Sequence, residues 1–423
     1  MDKKKVALMM GGSNNSIPKP DAAFDFVPFK IYKSGTGVFS ITPSFNLQTY
    51  AGITVSKTYY VATDGNDLNN GLTPETALAK VNTAINKADA DRVYVKAGWY
   101  THSNGWNSAS PNRSIEVIGY GGDVTITRDV VGLSWSAVDN HWEASYVSNI
   151  SCIFDTSITD IHGDYQNLLR VPDVVTVDST VGSFYYDAVA DIIYIRTSDS
   201  REPDADIHCQ YGDIVGYINY PVTYYIENLN FYGGSRPFLI SSASALTKLY
   251  AKDCEFSYGG DQNEGINASG GGEVILMDCL SVKCAGDGFK VQTNTIDCNF
   301  IAYNCKSRSH GKTGNTVING FSRHGGGANV LINCEFYENF GPGHADINTT
   351  KTWCLGENSH DAISASNRVG YSIANTVQMW LDTCQSSDNA DGDMVASAGS
   401  TIKYRNFTPT SPITSGDGTI ITY

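Results

Sequence analysis

A short β-prone run that closes on an acidic or amide residue and then a cysteine recurs through the carboxyl-terminal part of this sequence. Four clear copies end at Asp253-Cys254, Asp278-Cys279, Asn304-Cys305 and Asn333-Cys334, and two looser copies end at Trp353-Cys354 and Thr383-Cys384. Successive cysteines are 25, 26, 29, 20 and 30 residues apart, which is the length of one turn of a β-solenoid. The repeat therefore predicts a coiled chain in which each turn contacts only its neighbours.

The repeated cysteines are expected to stack inside the solenoid as free thiols. Equivalent positions on successive turns lie about 4.8 Å apart, so the cysteines would form an internal ladder and the preceding Asp or Asn residues a ladder at a corner. Ten cysteines in 423 residues are too few for a disulfide scaffold, and buried free cysteine packs as a small apolar side chain. Cys279 and Cys284, with no second pair, do not offer the spacing of a tetrahedral zinc site.

Composition fits a long β-protein and argues against two kinds of partner. The 41 glycines, the 25 tyrosines and a charged fraction of only 17% suit strands joined by many turns. A net charge of −15 would repel nucleic-acid phosphates, and no stretch approaches the roughly 18 apolar residues of a membrane span. Only five apolar residues, 6–10, follow the three lysines at 3–5. A signal peptide needs about 7–15, so secretion by the general pathway is not expected.

Four segments are predicted. Residues 1–56 lack the solenoid period and contain scattered phenylalanines, too few apolar residues for a core of their own, so an arm or attachment segment is expected there. Residues 57–129 should contain a capping helix and the first solenoid turns. Residues 130–220 break the period and indicate a small β insertion. Residues 221–423 should form the main solenoid and its last turn.

The capping helix is predicted at about residues 74–88. Thr73 can cap a helix that begins at Pro74, and Leu78, Val81 and Ile85 fall on one helical stripe. An uncovered solenoid end would expose unpaired strand edges. This apolar stripe is therefore expected to cover the amino-terminal end of the solenoid.

The same region resembles a known family. A Tyr-Tyr-Val strand at 59–61, a polar turn at 64–70, Thr73-Pro74, a helix and a Val-Tyr-Val strand at 93–95 follow one another. This order is similar to that of right-handed parallel β-helix proteins of the pectate-lyase-like superfamily. The resemblance extends from residue 57 to about residue 400. It implies an all-β, single-stranded right-handed parallel β-helix with an amino-terminal capping helix and a small β insertion, and it specifies the fold far more strongly than the chemistry.

With a non-solenoid segment in front and no clear signal peptide, the chain also resembles phage tailspikes and related virion appendages. That resemblance implies a virion protein made in the host cytoplasm that acts outside the cell on a polysaccharide or other glycan. It further implies a homotrimer, with residues 1–56 contacting other virion proteins.

Acidic residues recur where glycine-rich corners lead into a strand, at Glu264, Asp287, Asp346, Asp361 and Asp391. On adjacent turns such carboxylates would lie about 5 Å apart, and on alternate turns about 10 Å. Glycosidases need roughly 5–5.5 Å for retention and 6.5–9.5 Å for inversion. The predicted catalytic residues are Asp287, Asp346 and Asp361, assisted by His310 and His344. The predicted substrate-binding residues are Asp261, Glu264, Lys290, Arg308, Arg323, His324 and His360.

Alternatives remain open at this stage, because Asp, Asn and Gly also favour solenoid turns for conformational reasons alone. A polysaccharide-cleaving spike, with a glycosidase favoured over a lyase, competes with a non-catalytic receptor-binding or structural virion protein. It also competes with a secreted or host-encoded polysaccharide-active enzyme. No cofactor is required by these interpretations. Calcium could bind at the turns of residues 64–70 or 388–393.

Overall fold

The computed structural model describes residues 15–261, 263–292, 296–311, 317–363, 368–410, 413–414 and 416–423. It is a right-handed parallel β-helix with three faces, as the repeat and the resemblance predicted. The strands of each face pair in parallel with the corresponding strands of the turns before and after them. The three faces are called sheets 1, 2 and 3 below.

Sheet 1 contains the strands that lead into the Asp/Asn-Cys corners and the strands that stack on them: Thr58–Val61, Arg92–Tyr100, Ile115–Thr127, Thr223–Glu227, Lys248–Lys252, Glu273–Met277, Asn299–Tyr303, Ala328–Ile332, Lys351–Leu355, Gln378–Asp382, Thr401–Arg405 and Thr419–Thr422. Sheet 2 follows those corners and contains Asn230–Tyr232, Glu255–Ser257, Leu280–Val282, Lys306–Arg308, Glu335–Tyr337, Asn358–His360, Gln385–Ser387 and Thr408–Pro409. Two of the sheet 1 strands, Arg92–Tyr100 and Ile115–Thr127, bend at glycines and continue into sheet 2.

Sheet 3 closes each turn. Within the described ranges it contains nine strands: Ile214–Ile218, Arg236–Ile240, Ile266–Ala268, Phe289–Gln292, Phe321–His324, His344–Ile347, Val369–Ile373, Gly392–Ala396 and Ile413–Thr414. The inward-facing side chains of all three sheets form one continuous apolar core along the solenoid. This core has the shape of a column, because each turn adds one layer to it.

The corner between sheets 1 and 2 confirms the predicted ladder. In the eight turns from residue 228 onward its first residue has a left-handed backbone, with φ between 50° and 63°, at Asn228, Asp253, Asp278, Asn304, Asn333, Gly356, Thr383 and Asn406. Asn, Asp and Gly tolerate this conformation better than other residues. The next residue points inward, so Cys254, Cys279, Cys305 and Cys334 stack as buried free thiols.

One copy of the repeat was aligned wrongly from the sequence. Cys354 does not lie at the corner, because it pairs within sheet 1 with Leu331 and Leu381. The corner of that turn is Gly356-Glu357, since the following residue, Asn358, pairs with Glu335 and Gln385. Glu357 therefore takes the cysteine position in the ladder, fully buried.

The amino-terminal cap is present, but its helix is shorter than predicted. A 3-10 helix occupies Pro74–Thr76, with a capping box between Thr73 and Thr76, and the α-helix is confined to Val81–Ile85. Leu78 interrupts the helix because its backbone bridges Val61 of the first strand. Leu78, Val81 and Ile85 are nonetheless all fully buried in the column core, as the capping role requires.

The β insertion packs against the outer face of sheet 2. It contains strands Ser136–Val138, His141–Ser145, Ile150–Thr159, Tyr165–Asn167, Leu169–Arg170, Ser183–Asp187, Ile192–Arg196 and Ile207–Tyr211, and the α-helix Val174–Ser179. Phe154 of the insertion stacks on Tyr258, and Asp164 forms an ion pair with Arg308 of sheet 2. The solenoid resumes at Ile214–Ile218, which joins sheet 3, slightly earlier than the predicted boundary at residue 220.

Residues 15–56 form a strap across the outer face of sheet 1. The strap contains strands Asn15–Ser16, Ile31–Lys33 and Phe39–Ile41, the 3-10 helix Ala22–Phe24 and the α-helix Leu47–Ala51. It packs its apolar side chains, among them Phe24, Phe29 and Leu47, on outward-facing residues of sheet 1. The predicted attachment of this segment to other virion proteins stays a prediction. No helix among the described residues combines the length and apolarity needed to cross a membrane.

Candidate active site on sheet 3

The outer face of sheet 3 carries two carboxylates on adjacent turns. Glu264 and Asp287 each precede a glycine and a core residue, in Glu264-Gly-Ile266 and Asp287-Gly-Phe289, and Ile266 pairs directly with Phe289. Lys290 contacts both carboxylates, because its Nζ lies 2.7 Å from Glu264 Oε1 and 4.0 Å from Asp287 Oδ2. Two residues predicted as substrate-binding, Glu264 and Lys290, therefore meet the predicted catalytic residue Asp287.

Glu264 is held in its ionised form. Its Oε2 accepts a hydrogen bond from Arg236 Nε at 2.9 Å, and its Oε1 accepts one from Lys290 Nζ at 2.7 Å. Burial of Glu264 opposes ionisation, but the charges of Arg236 and Lys290 outweigh it and lower the pKa of Glu264 below its usual value. The guanidinium of Arg236 is also fixed by the side-chain oxygen of Asn263.

Asp287 is shifted in the opposite direction. Burial raises the pKa of Asp287 above its usual value, although Lys290 and hydrogen bonds to Ser322 and Asn319 work against the shift. Ser322 Oγ donates to Oδ2 at 2.6 Å, and the Asn319 backbone N–H donates to Oδ1 at 2.7 Å. The environments of Glu264 and Asp287 thus separate the proton affinities of two neighbouring carboxyl groups.

His324 completes the polar group on this face. It ends the strand Phe321–His324 and pairs with Gln292 of the preceding turn. Burial lowers the pKa of His324, and the nearby charge of Lys290 lowers it further, so its imidazole is neutral at pH 7. Glu264 and Asp287 are 5% and 6% exposed, and the side chains of Arg236 and Lys290 are 18% exposed. The carboxylates therefore lie just beneath the surface, next to more accessible cations.

Glycine brings the two turns together at this point. A Cβ on Gly265 would lie 2.2 Å from Ser281 Oγ, and one on Gly288 would lie 1.9 Å from Ser307 Oγ. Each glycine lets the backbone that enters sheet 3 pass directly over a serine that points inward from sheet 2. The tight corner positions Glu264 and Asp287, which immediately precede these glycines.

Three other predicted site residues point into the solenoid instead. Asp346, His344 and Arg323 are fully buried, because Asp346 and Arg323 occupy the inward position of Val291, and His344 that of Phe321. Asp346 binds His344 and Thr352, while Arg323 donates to Asn329 and to backbone carbonyl groups. A substrate at the surface would not contact any of these three side chains.

Three further predicted residues, Arg308, His360 and Asp361, lie on or near sheet 2. Arg308 binds Asp164 through Nε at 2.8 Å. His360 contacts Glu335 at 3.4 Å and Asp361 at 2.6 Å, and Asp361 is a corner residue with φ of 55°. The structure therefore separates Asp361 from the pair on sheet 3.

His310 and Asp261 occupy the corner loops between sheets 2 and 3. His310 is fully buried, its Nδ1 accepts from the Cys284 backbone N–H at 3.1 Å, and burial lowers its pKa to about 3. Asp261 forms an ion pair with Arg170 of the insertion. That pair borders a cavity of about 490 Å³ between the insertion and the corner loops.

Glu255 was missed by the sequence reasoning. It points outward from sheet 2 and lines a cavity of about 610 Å³ together with Tyr120, Asp123, Asp253 and Asp278. Tyr232 donates a hydrogen bond to Glu255 at 2.9 Å, and burial raises the pKa of Glu255 to about 7. The alternation of side chains along the short strand after Cys254 is the signal that could have identified it.

In each of the two turns considered for calcium, a carboxylate already accepts hydrogen bonds from the protein. Asp67 Oδ1 accepts hydrogen bonds from the backbone N–H groups of Ala79 and Lys80. Asp393 accepts hydrogen bonds from Ser386 and from the Thr410 backbone. These carboxylates already stabilise their loops, and calcium binding there stays a prediction.

No protein-family model matches the sequence, and no curated protein matches it. Solved structures do match the fold. A protein described as a glycoside hydrolase aligns over 86% of this chain and 96% of its own length, with 10% sequence identity and a TM-score of 0.60. XylC, solved in complex with xylose, aligns over 86% of this chain and 68% of its own, with 11% identity and a TM-score of 0.54. At these identities the likeness concerns the fold alone, and it confirms the parallel β-helix expected from the sequence.

Proposed function

We propose that this chain is a polysaccharide-cleaving β-helix enzyme of the glycoside-hydrolase type, with its active site on the outer face of sheet 3. The observation that carries this proposal is the pair Glu264 and Asp287, on adjacent turns and with pKa values shifted in opposite directions. A pair of titratable groups separated in this way is the usual basis for assigning a general acid and its partner. The glycoside hydrolase and XylC that align with this chain share its fold, and they support the proposal by analogy only.

In this proposal Asp287 is the general acid that protonates the glycosidic oxygen. Glu264, kept ionised by Arg236 and Lys290, is the carboxylate that acts as nucleophile or activates water. One ammonium group lies 2.7 Å from a Glu264 oxygen and 4.0 Å from an Asp287 oxygen, so these two oxygens are at most about 6.7 Å apart. This limit is compatible with the separation in retaining enzymes, roughly 5–5.5 Å, and with the short end of the inverting range of about 6.5–9.5 Å. Lys290, Arg236 and the neutral His324 would orient hydroxyl or acidic groups of the substrate.

The test is release of sugar ends from a panel of bacterial surface polysaccharides. Asp287→Asn and Glu264→Gln should each reduce the rate by about 10²–10⁴-fold while thermal stability and glycan binding are largely kept. Asp388→Asn is a matched control, because Asp388 is an exposed corner residue with φ of 56°. New reducing ends indicate hydrolysis, whereas new unsaturated ends indicate a lyase.

Two results would count against this site. If both sheet 3 variants cleave as fast as wild type, the acid and base lie elsewhere. If Glu255→Gln alone abolishes cleavage, the active site is the cavity on sheet 2. Asp361→Asn, which alters a residue away from the sheet 3 pair, should leave the rate within about threefold of wild type, a change of less than 1 kcal/mol in the barrier.

A non-catalytic glycan receptor is the second candidate function. It is favoured by the cavity of about 610 Å³ on sheet 2, which Tyr120, Asn228 and Asn230 line together with carboxylates. Cavities of this size with a few polar groups commonly bind small ligands. Glycan binding without any cleavage across the panel, abolished by Tyr120→Ala, would favour this candidate.

We further propose that this chain is part of a virion. A tailspike-like protein would form a homotrimer and act outside the host cell after synthesis in its cytoplasm. Light scattering of the purified chain measures the oligomeric state directly. A monomer at micromolar concentration would contradict the trimer and favour the secreted or host-encoded enzyme.

A further inference from the structure

The column core is apolar along most of its length, but a group of buried metal-ligand side chains lies in it among the described residues. His344 of sheet 3, Cys354 of sheet 1 and Glu357 at the corner are all fully buried, and their ligand atoms all lie within 4.8 Å of one another. We propose that His344, Cys354 and Glu357 bind one Zn²⁺ ion, or a divalent cation of similar size and softness, inside the solenoid. The proposal is independent of the activity proposed for sheet 3.

The distances suit a single shared ion. His344 Nδ1 lies 3.0 and 3.3 Å from the two oxygens of Glu357 and 3.8 Å from Cys354 Sγ. Ligands about 2.0–2.3 Å from a tetrahedral zinc ion are separated from each other by roughly 3.3–3.8 Å. Because both oxygens of Glu357 face the group, a bidentate Glu357 would provide the fourth bond. A nitrogen, a thiolate and a carboxylate form the mixed donor set that zinc accepts.

The residues around the histidine support a ligand role. Metal-bound histidines usually donate their second ring N–H to a carboxylate, which fixes the ring. Here Asp346 Oδ2 lies 3.2 Å from His344 Nε2, and it also accepts a hydrogen bond from Thr352 Oγ1 at 2.5 Å. This arrangement directs Nδ1 toward Cys354 and Glu357. The other oxygen of Asp346 is buried and has no hydrogen-bond partner among the residues that the structure describes, so those residues do not fully satisfy the network.

The sequence departs from its repeat at this turn in two coupled ways. Glu357 replaces the cysteine of the ladder, and Cys354 appears at a position where the neighbouring turns have Leu331 and Leu381. Burying carboxylates in an apolar core is costly unless opposite charge compensates them. A Zn²⁺ ion bound by one thiolate and one carboxylate is electrically neutral as a group, and it compensates this cost directly.

The rival account is an ion pair without metal, in which a protonated His344 lies between Glu357 and Asp346. Both accounts fit the same contacts, but only a protein with a metal site would retain a metal ion through dialysis. Because every ligand atom is buried, the ion would have to enter during folding. The protein should therefore be unfolded with a chelator and refolded in the presence and absence of Zn²⁺.

Metal content of the refolded full chain is the deciding measurement. After refolding with Zn²⁺ and dialysis, wild type should retain about one zinc per chain, and Cys354→Ser at least about tenfold less. Cys384→Ser is the matched control, because Cys384 is equally buried in the ladder of the next turn but is not one of the three ligands. It should retain as much zinc as wild type.

If the Cys354 variant folds poorly, binding of Co²⁺ to the wild-type protein provides a second test of the site. Wild type refolded with Co²⁺ should show the near-ultraviolet charge-transfer absorption of a thiolate–cobalt bond, and so should Cys384→Ser. Zinc below about 0.1 per chain in refolded wild type, or zinc in Cys354→Ser equal to that in wild type, overturns the proposal and leaves the ion pair as the explanation. Absence of the cobalt–thiolate band in wild type overturns it as well.

Discussion

At the scale of single residues, Lys290 links the charge states of the two carboxylates on sheet 3. Its ammonium group favours the ionised forms of both Glu264 and Asp287. Asp287 must be protonated to act as the acid, so activity should fall as pH rises through its raised pKa. Glu264 must be ionised, so activity should also fall as pH drops through its lowered pKa. The profile of kcat/KM against pH should therefore be bell-shaped.

Lys290→Gln provides the corresponding prediction. Without the ammonium group the pKa values of Glu264 and Asp287 should both rise. Both limbs of the pH profile should therefore move to higher pH, by about one unit or less because Lys290 is partly exposed. Lys306→Gln is a suitable control, since Lys306 binds Glu335 on sheet 2 and should leave the profile in place. Limbs that do not move in Lys290→Gln would show that other groups titrate in the reaction.

At the scale of the strand and its corner, glycine makes the turn from sheet 2 to sheet 3 possible. Gly288→Ala should destabilise the protein by at least about 2 kcal/mol, because its Cβ would overlap Ser307 Oγ and press on His310 and on the backbone of Gly320. Gly35→Ala is the control, since no atom of the described part of the chain lies within 4 Å of a Cβ built there. Thermal denaturation of both variants checks this, and equal melting temperatures would contradict the close packing.

The corner also shows which predictions were accessible from sequence. Asp253-Cys254 and its copies could be recognised because a left-handed residue followed by an inward one constrains both positions in every turn. Glu264 and Asp287 could be placed at equivalent corners of adjacent turns for a similar reason, since each precedes a glycine and a core residue. Their role in a site stays a prediction. Both signals depend on a local pattern that repeats without insertions.

The errors arose where loop lengths vary between turns. Asp346 was grouped with Asp287, but His344 is the residue that corresponds to Phe289, so Asp346 lies further along its strand and faces inward. The misalignment by four residues had moved Asp346 from the strand to the corner that precedes it. The length of the capping helix was overestimated. Leu78 fits the apolar stripe of a helix, but its backbone actually forms a β-bridge with Val61.

At the scale of the whole molecule, the strap joins turns that do not otherwise touch. Phe24 packs against Trp353 and Trp380 near the carboxyl-terminal end, with ring centroids 5.6 Å apart in both cases. Gln48 donates a hydrogen bond to Glu116 near the amino-terminal end. The strap therefore runs backwards along the solenoid, from late turns to early ones, and adds long-range contacts to a fold of nearest neighbours.

Phe24→Ala should release the first part of the strap. Removal of a fully buried phenylalanine lowers stability by about 3–5 kcal/mol. A short surface segment that loses this much packing free energy should detach from sheet 1. Hydrogen exchange should accelerate in residues 21–33 and in the strands that contain Trp353 and Trp380. Val38→Ala, at a side chain that is 55% exposed, should change neither. Unaltered exchange in Phe24→Ala would mean that the remaining strap contacts suffice.

The direction of the strap has a consequence for biosynthesis. Asp21 binds Lys351 and Lys33 binds Asp382, across separations of 330 and 349 residues. A ribosome that adds about 5–20 residues per second makes the strap tens of seconds before its binding surface exists. Early turns can assemble on one another as they emerge, whereas Phe24, Val27 and Phe29 must wait, exposed to chaperones and to other nascent chains. Strap docking is thus the step that closes the longest loops. It can be completed only after the carboxyl-terminal turns that the strap contacts have formed.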